Sequence, residues 1–442
     1  MIELIRKSKN FLIVEIALPI VDLFLGTKIH YYFCQIKQMN KWSAQEVQNW
    51  QNEQLHNLVN HFYSNTIYYR RLFDKIGLNP KDIKTKEDLV KIPLLNKDII
   101  RDHYDELIPS NIASLPHKKA SSGGSSGKTL KYLLDNNTWS YTTAIKIYSW
   151  QTSGYLYGDA YATIGSSSLF SPNPTLKQRF YHLFKNSLRI SALNLSDEKI
   201  SQLIPLLIKK RPKYLYGYAA ALFLLAKYVN KNKIKLDSVK GCFPTAEMLT
   251  PEYRAEIEKA FGFVMDCYGA RDGGITAYEI NKGYYNVGYN SIAEVVDCYD
   301  KDTGKLLVTD LLSYSFPFLR YDLDDDVTLA DSQQTYNYNG QVITKIMGRS
   351  PDIIRLANGH VLTGPAFQMM FGSFNVLAYR ISKLDDLILQ IEIQPNEMFT
   401  QDEENRLLGI LKNHAGKECT VKLLKVKEFT PNKNGKRNYF IA

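Results

Sequence analysis

KASSGGSSGKTLKY, residues Lys119 to Tyr132, holds three glycines, four serines, a lysine and a threonine within the nine positions from Ser121 to Thr129. Gly123, Gly124 and Gly127 let successive backbone N–H groups turn toward one point, and Ser121, Ser122, Ser125, Ser126 and Thr129 add hydroxyl donors around it. Such a loop wraps an anion, and polyphosphate is its natural guest. The nucleotide P-loop GxxxxGK[ST] would need glycine at 122 and meets Ser122. That motif also follows a buried strand and opens a helix. Here LPHKK (Leu115 to Lys119) precedes the loop, and Leu130, Tyr132 and Leu134 alternate with Lys131 and Leu133 after it, a strand–loop–strand pattern. The competing reading is a Gly/Ser linker, and the surrounding chain argues against it.

Upstream, Val47, Trp50, Leu55, Leu58, Val59, Phe62, Tyr68, Tyr69, Leu72 and Phe73 predict a helical packing segment over Trp42 to Lys75. Short helices broken by Pro93 and Pro109 lead from there into the loop. Downstream, helical periodicity over Thr138 to Gly158 and Glu198 to Asn230 alternates with apolar runs at Ala160 to Ile164 and Lys213 to Tyr216. VKGCFPTAE (Val239 to Glu247) then reads as strand and turn, Pro251 to Phe261 as helix, and FVMDCYGARDGG (Phe263 to Gly274) as a strand ending in a polar turn. Helix alternating with buried strand predicts an α/β fold, whose ligands bind beyond the carboxyl ends of the strands. A substrate pocket is expected between YLYGYAA (Tyr214 to Ala220) and Cys242 to Thr245, with Tyr216, Gly217 and Tyr218 lining it, although either tyrosine also suits a core.

Ile292 to Leu329 has a β pattern. Its acidic run, Asp322, Asp324, Asp325 and Asp326, lacks the central glycine and distant glutamate of a calcium loop and fits a solvated turn better. Arg349 and Asp352 fall in a turn before a strand hairpin, and the remainder has an α+β pattern.

At 442 residues, 45% of them hydrophobic and 23% charged, the chain buries a large core and divides into domains. A net charge of +10 suits anionic ligands or an acidic membrane surface. Nucleic acid is not expected, because no helix-turn-helix, zinc-finger or RNA-recognition signature is present. The five cysteines are widely spaced without CxxC pairs, which favours a reducing cytoplasm. FLIVEIALPIVDLFLG (Phe11 to Gly26) is short for a membrane span and carries Glu15, Pro19 and Asp22. With Glu15 and Asp22 on one face, it predicts an amphipathic helix docked on the protein or on the inner membrane face, and TKIHYYF after it offers no signal-peptide cleavage site.

The glycine loop, TAE, YGARD, RYDLDDD, GRSPDII and NGKR occur in this order, preceded by IYYRRLFDKIGL and IPLLNKDIIRD. In these motifs the chain resembles the adenylate-forming superfamily, most closely its phenylacetate-CoA ligase branch, which has members in capsule and O-antigen gene clusters. The resemblance runs from about Trp42 to the end. It implies a large adenylate-forming domain over 42–349 that includes a β-rich subdomain and a small α+β lid over 350–442, and it leaves 1–41 as an N-terminal amphipathic helical extension. Carried onto this sequence, Ser122, Gly124, Ser125, Ser126, Gly127 and Lys128 would hold the β and γ phosphates of ATP, and Glu247 the adenine-side turn. Tyr268 and Gly269 would stack on adenine, Asp325 would hold the ribose with Arg349 beside it, and Asp272 would sit near Mg²⁺ and the α-phosphate. Lys436 would be the catalytic lysine of the lid and Asp352 its hinge. Asp272 stands where the family has glutamate, Asp324 replaces a glycine, and Thr129 stands where proline is common.

The implied enzyme activates a small carboxylic acid as acyl-AMP and passes the acyl group to CoA, a carrier-protein thiol or an amine. A non-catalytic nucleotide-binding or scaffold protein of a membrane-associated polysaccharide assembly is the alternative.

Overall fold

The computed structural model describes residues 2–122, 130–165, 176, 185–192, 195–300, 302–330, 338–347, 353–358, 360–363, 367, 370–371, 373–427 and 440–441. The chain forms two compact units. One comprises Met1–Ala120, Lys131–Gly158 and Cys267–Gly348; the other comprises Ser121–Leu130, Asp159–Asp266 and Arg349–Ala442.

In the first unit the segment expected as one helical stretch is two helices, Ala44–Asn65 and Ile67–Ile76. Ser43 and Glu46 close a capping box on the first, with the Ser43 N–H donating to Glu46 at 2.7 Å. Thr66 makes the break. Its hydroxyl donates to the Phe62 carbonyl at 2.7 Å and accepts from Tyr69 N–H at 3.3 Å, ending one helix and capping the next. The apolar period runs through the break because Leu55, Leu58, Val59, Phe62, Tyr69 and Phe73 are all buried.

The sheet of this unit runs Ser291–Asp300, Thr303–Asp310, Tyr321–Leu329, Val342–Met347, Tyr284–Val287, Thr276–Asn281 and Cys267–Gly269, antiparallel throughout. Leu95 bridges to Tyr321, and Arg320 fixes that junction by pairing with Glu294 at 3.0 Å and donating to the Ile92 carbonyl at 2.7 Å. Strands His117–Ser122 and Leu130–Asp135 form a two-stranded sheet on either side of the glycine loop. Asp135 then caps the helix Asn136–Gln151 through Asn137 N–H at 2.7 Å, while its second oxygen accepts from the Ser315 hydroxyl at 2.7 Å and N–H at 2.9 Å.

At the N-terminus helical turns run from Ile2 to Leu25, with a π-helical stretch over Leu12–Ala17, and stop at Gly26 with φ 67°. Of the two acidic residues only Asp22 turns inward: it accepts from Thr27 Oγ1 at 2.5 Å and from the His30 N–H at 2.6 Å, while Glu15 stays at the surface. Leu12, Ile16, Ile20 and Leu23 lie outward instead, Leu23 at 86% exposure. Among the described residues no helix is long and apolar enough to cross a membrane.

The second unit contains the parallel layer: Gly241–Thr245, Tyr214–Tyr218, Tyr161–Gly165 and Ser187–Ser191 run side by side in that order. Helices Asp197–Lys210, Ala219–Lys231 and Pro251–Phe261 pack on it, with Phe223 and Tyr253 stacked at 4.1 Å between two of them. The C-terminal part has its own core. A sheet of Thr420–Lys425, Ile388–Pro395, Val376–Asp385 and Phe440–Ile441, with helix Gln401–Ala415 and the hairpin Ile353–Arg355 and Val361–Thr363, buries Leu362, Phe371, Tyr379, Ile391 and Leu407 together. This is the α/β fold with a small C-terminal sheet domain that the sequence predicted.

Candidate functional site

Two of the residues singled out in the first unit are joined although far apart in the chain. Tyr268, on the strand Cys267–Gly269, donates its hydroxyl to Asp325 Oδ2 at 2.9 Å. Burial pushes the Tyr268 phenol well above its ordinary value, and the Asp325 charge adds to the shift, so it stays a donor. After Gly269 the chain turns through 270–275, where Gly273 and Gly274 have φ of 88° and 66°. A side chain at Gly274 would overlap the Asp310 carboxyl, so the turn closes only with glycine. Asp272 in this turn accepts from the Tyr321 hydroxyl at 3.0 Å, and Tyr321 is likewise held neutral by burial and by Asp272.

The acidic run owes its shape to a bulge. Opposite Lys305 to Leu307 the strand Tyr321–Leu329 runs from Asp326 back to Asp322, and the excess residues place Asp324 at φ 63°. Three of the four aspartates then have separate neighbours. Asp322 lies 3.5 Å from Lys305 and takes the Asp324 N–H at 2.9 Å. Asp324 pairs with buried Lys97 at 2.9 Å, and Asp325 faces Tyr268. Among the described residues these carboxylates do not converge on one point as a set of metal ligands would. Aspartate tolerates the left-handed backbone better than most residues, so it can stand in for the glycine expected there, and Lys97 holds its side chain.

Behind the turn, Asp310 is fully buried, accepting from Thr138 Oγ1 at 2.6 Å, Leu312 N–H at 3.1 Å and Asn290 Nδ2 at 3.3 Å. Desolvation raises its carboxyl to about 7, opposed by these hydrogen bonds. Lys146, on the helix Asn136–Gln151, is brought down to about 8 by burial, with Cys267 opposing and Arg271 reinforcing the shift.

In the second unit Ala246 has φ 67°, and Glu247 after it accepts the Ala220 N–H at 2.8 Å at the start of helix Ala219–Lys231. A carboxylate there answers the partial positive charge of the helix N-terminus. Of the expected pocket residues only Tyr216 is half-buried. Tyr218 packs into the apolar core, and a Cβ at Gly217 would overlap the Ile164 carbonyl, so that glycine serves strand spacing. Both positions therefore have packing duties, as aromatic and glycine residues at a strand end often do. Ser122 ends its strand half-buried, and its Oγ has no hydrogen-bond partner among the described residues. Gly124, Ser125, Ser126, Gly127, Lys128, Arg349, Asp352 and Lys436 lie outside the described residues.

The sequence reading missed Tyr321 and Lys97. Both sat inside motifs it quoted, RYDLDDD and IPLLNKDIIRD, but their roles come from the Leu95–Tyr321 bridge, which no local pattern announces.

No protein-family model matches the chain. Among curated proteins it is similar to Protein CapK of Staphylococcus aureus, 27% identical over 341 residues, covering 75% of this chain and 74% of that protein. It is also similar to the phenylacetate-coenzyme A ligase of Aromatoleum evansii, 27% identical over 345 residues (72% and 74% covered), and to that of Pseudomonas putida, 23% over 398 (84% and 87%). Of solved structures, 2-hydroxyisobutyryl-CoA ligase in the postadenylation state with 2-HIB-AMP aligns with TM-score 0.57 at 16% identity, covering 91% of this chain and 89% of that one. At that identity the match speaks to the fold.

Proposed function

From the premise that the chain has the fold of the adenylate-forming superfamily and that its relatives lie in the phenylacetate-CoA ligase and CapK branch, we propose that it is an ATP-dependent acid ligase. It activates a small carboxylic acid as acyl-AMP and hands the acyl group to CoA or another thiol or amine, in the making of a surface polysaccharide. The observation that supports the reading is the Tyr268–Asp325 hydrogen bond, which joins, across 57 residues, the aromatic expected beside adenine and the carboxylate expected beside the ribose.

In this proposal the carboxylate oxygen of the acid attacks the α-phosphorus of ATP, the bond to pyrophosphate breaks, and pyrophosphate leaves. The acceptor thiol then attacks the acyl carbon and AMP leaves. The amides of 123–127 with Lys128 would cradle the β and γ phosphates, with Glu247 at the adenine-side turn. Asp325, aimed by Tyr268, would take the ribose hydroxyls with Arg349 beside it. Lys436 would meet charge developing at the α-phosphate, on a lid over 350–442 hinged at Asp352. Asp272 suits Mg²⁺ by the chemistry of its donor, a hard carboxylate oxygen of the kind that ion takes beside substrate phosphates; once bound, the ion neutralises phosphate charge. The substrate pocket would include Tyr216.

The test is exchange of labelled pyrophosphate into ATP across a panel of carboxylic acids. Exchange dependent on one acid supports the ligase. Intact ATP binding without exchange for any acid sinks it and favours the second reading, a membrane-associated scaffold at the cytoplasmic face. The outward row Leu12, Ile16, Ile20 and Leu23, beside the basic Arg6, Lys7 and Lys9, favours that reading and is compatible with a peripheral ligase.

A further inference from the structure

Far from the ligase residues in sequence, Glu15, His30 and Cys34 bring a carboxylate oxygen, an imidazole nitrogen and a thiol sulfur within 4.8 Å of one another. His30 Nε2 lies 3.3 Å from Glu15 Oε2 and 3.6 Å from Cys34 Sγ. Both contacts fall on the same ring nitrogen. In a nucleophilic relay the carboxylate would hold one imidazole nitrogen while the other faced the thiol, so this arrangement is not a relay. A shared nitrogen is instead what three ligands converging on one ion produce.

The two distances from His30 agree with that interpretation. A tetrahedral Zn²⁺ at about 2.3 Å from sulfur and about 2.0–2.1 Å from nitrogen and oxygen sets S···N near about 3.6 Å and N···O near about 3.3 Å. We propose that Glu15, His30 and Cys34 form a three-ligand site for a divalent transition metal of the Zn²⁺ type, with a fourth position open to water or an external ligand.

The elements that present the ligands have separate reasons to be where they are. Glu15 comes from the π-helical stretch Leu12–Ala17, and π-turns accompany functional sites disproportionately. His30 and Cys34 lie one turn apart on helix Ile29–Met39, the i, i+4 spacing that sets two ligands on one face. Asp22 does not compete, since it is engaged with Thr27 Oγ1 and the His30 N–H. Lys37, one turn on, holds its ammonium 5.4 Å over the Phe33 ring. On binding, Cys34 gives its thiol proton to solvent and sulfur becomes a thiolate ligand. The ion would tie the N-terminal helix, with its outward apolar row, to Ile29–Met39.

The experiment uses the full-length protein stripped of metal by chelation, then titrated with Zn²⁺ by equilibrium dialysis and with Co²⁺ by absorbance. The expected result is one ion per chain, a thiolate-to-cobalt charge-transfer band, and a higher melting temperature with Zn²⁺. Cys34→Ser should abolish the band, and Cys34→Ser, His30→Ala and Glu15→Gln should each weaken Zn²⁺ binding by about tenfold or more. Cys298→Ser, at the other exposed cysteine, should leave binding unchanged. Failure to bind Zn²⁺ at micromolar concentration, or binding and a charge-transfer band that persist in Cys34→Ser, would overturn the site. Neither result bears on pyrophosphate exchange.

Discussion

Replacing Asp310 with asparagine should make the first unit more stable at alkaline pH and flatten its pH dependence. Asp310 is fully buried and its carboxyl is raised from 3.8 to about 7. Below pH 3.8 the acid is neutral both folded and unfolded, so its stabilising share is intact. As pH rises toward 7 the unfolded chain ionises while the folded chain keeps the proton, and that share is lost. Roughly three units at about 1.4 kcal/mol each put the full loss at about 4 kcal/mol, of which about 3 kcal/mol falls between pH 5 and 8. The pocket accepts an amide: Leu312 N–H and Asn290 Nδ2 both donate to Oδ1, which asparagine keeps as oxygen, and the Thr138 hydroxyl can turn to accept from the new Nδ2. Calorimetric scans of wild type and Asp310→Asn from pH 5 to 8 should show the gap in midpoint widening by roughly 6–12 °C in favour of the variant. A gap constant across that range would refute the argument, since it would mean that Asp310 carries the same charge folded and unfolded.

Three other outcomes are expected. Tyr268→Phe removes the donor to Asp325 and should weaken ATP binding roughly tenfold by calorimetry; unchanged affinity would separate this pair from the nucleotide. Gly217→Ala forces a methyl onto the Ile164 carbonyl and should cost about 1–3 kcal/mol in thermal or urea unfolding, with wild-type stability counting against the close strand packing. Lys436→Ala should slow pyrophosphate exchange about a hundredfold or more, while pre-made acyl-AMP restores much of thioester formation; near-normal exchange would move the role to Lys433.

Elements whose burial follows a simple period were legible from the sequence. Helix Pro251–Phe261 and strand Tyr214–Tyr218 lie where periodicity and turn residues put them. The break at Thr66 was not, because buried residues continue in phase across it and only a hydroxyl marks the stop. Tyr268 and Asp325 were found as members of contiguous motifs, but that they touch depends on the bulge at Asp324, which is a property of strand pairing. That Tyr218 packs into the apolar core was not legible, because a buried aromatic looks the same in sequence in a core as beside a ligand. At the N-terminus the amphipathic pattern was plain and its orientation was not: Asp22 has hydrogen-bond partners in Thr27 and the His30 N–H and turns inward, while Glu15 stays at the surface.

The ion pair of Lys97 with Asp324 also bears on how this sequence can change. A left-handed backbone reserves position 324 for glycine or a few short polar residues. Once aspartate stands there and a buried lysine has come to depend on it, two sites 227 residues apart no longer drift independently. The order of change matters too. An aspartate arriving first would be tolerable, because its side chain stays 42% exposed, whereas a lysine buried first would face glycine without this carboxylate. Chains with an acidic residue at this bulge should therefore keep the lysine.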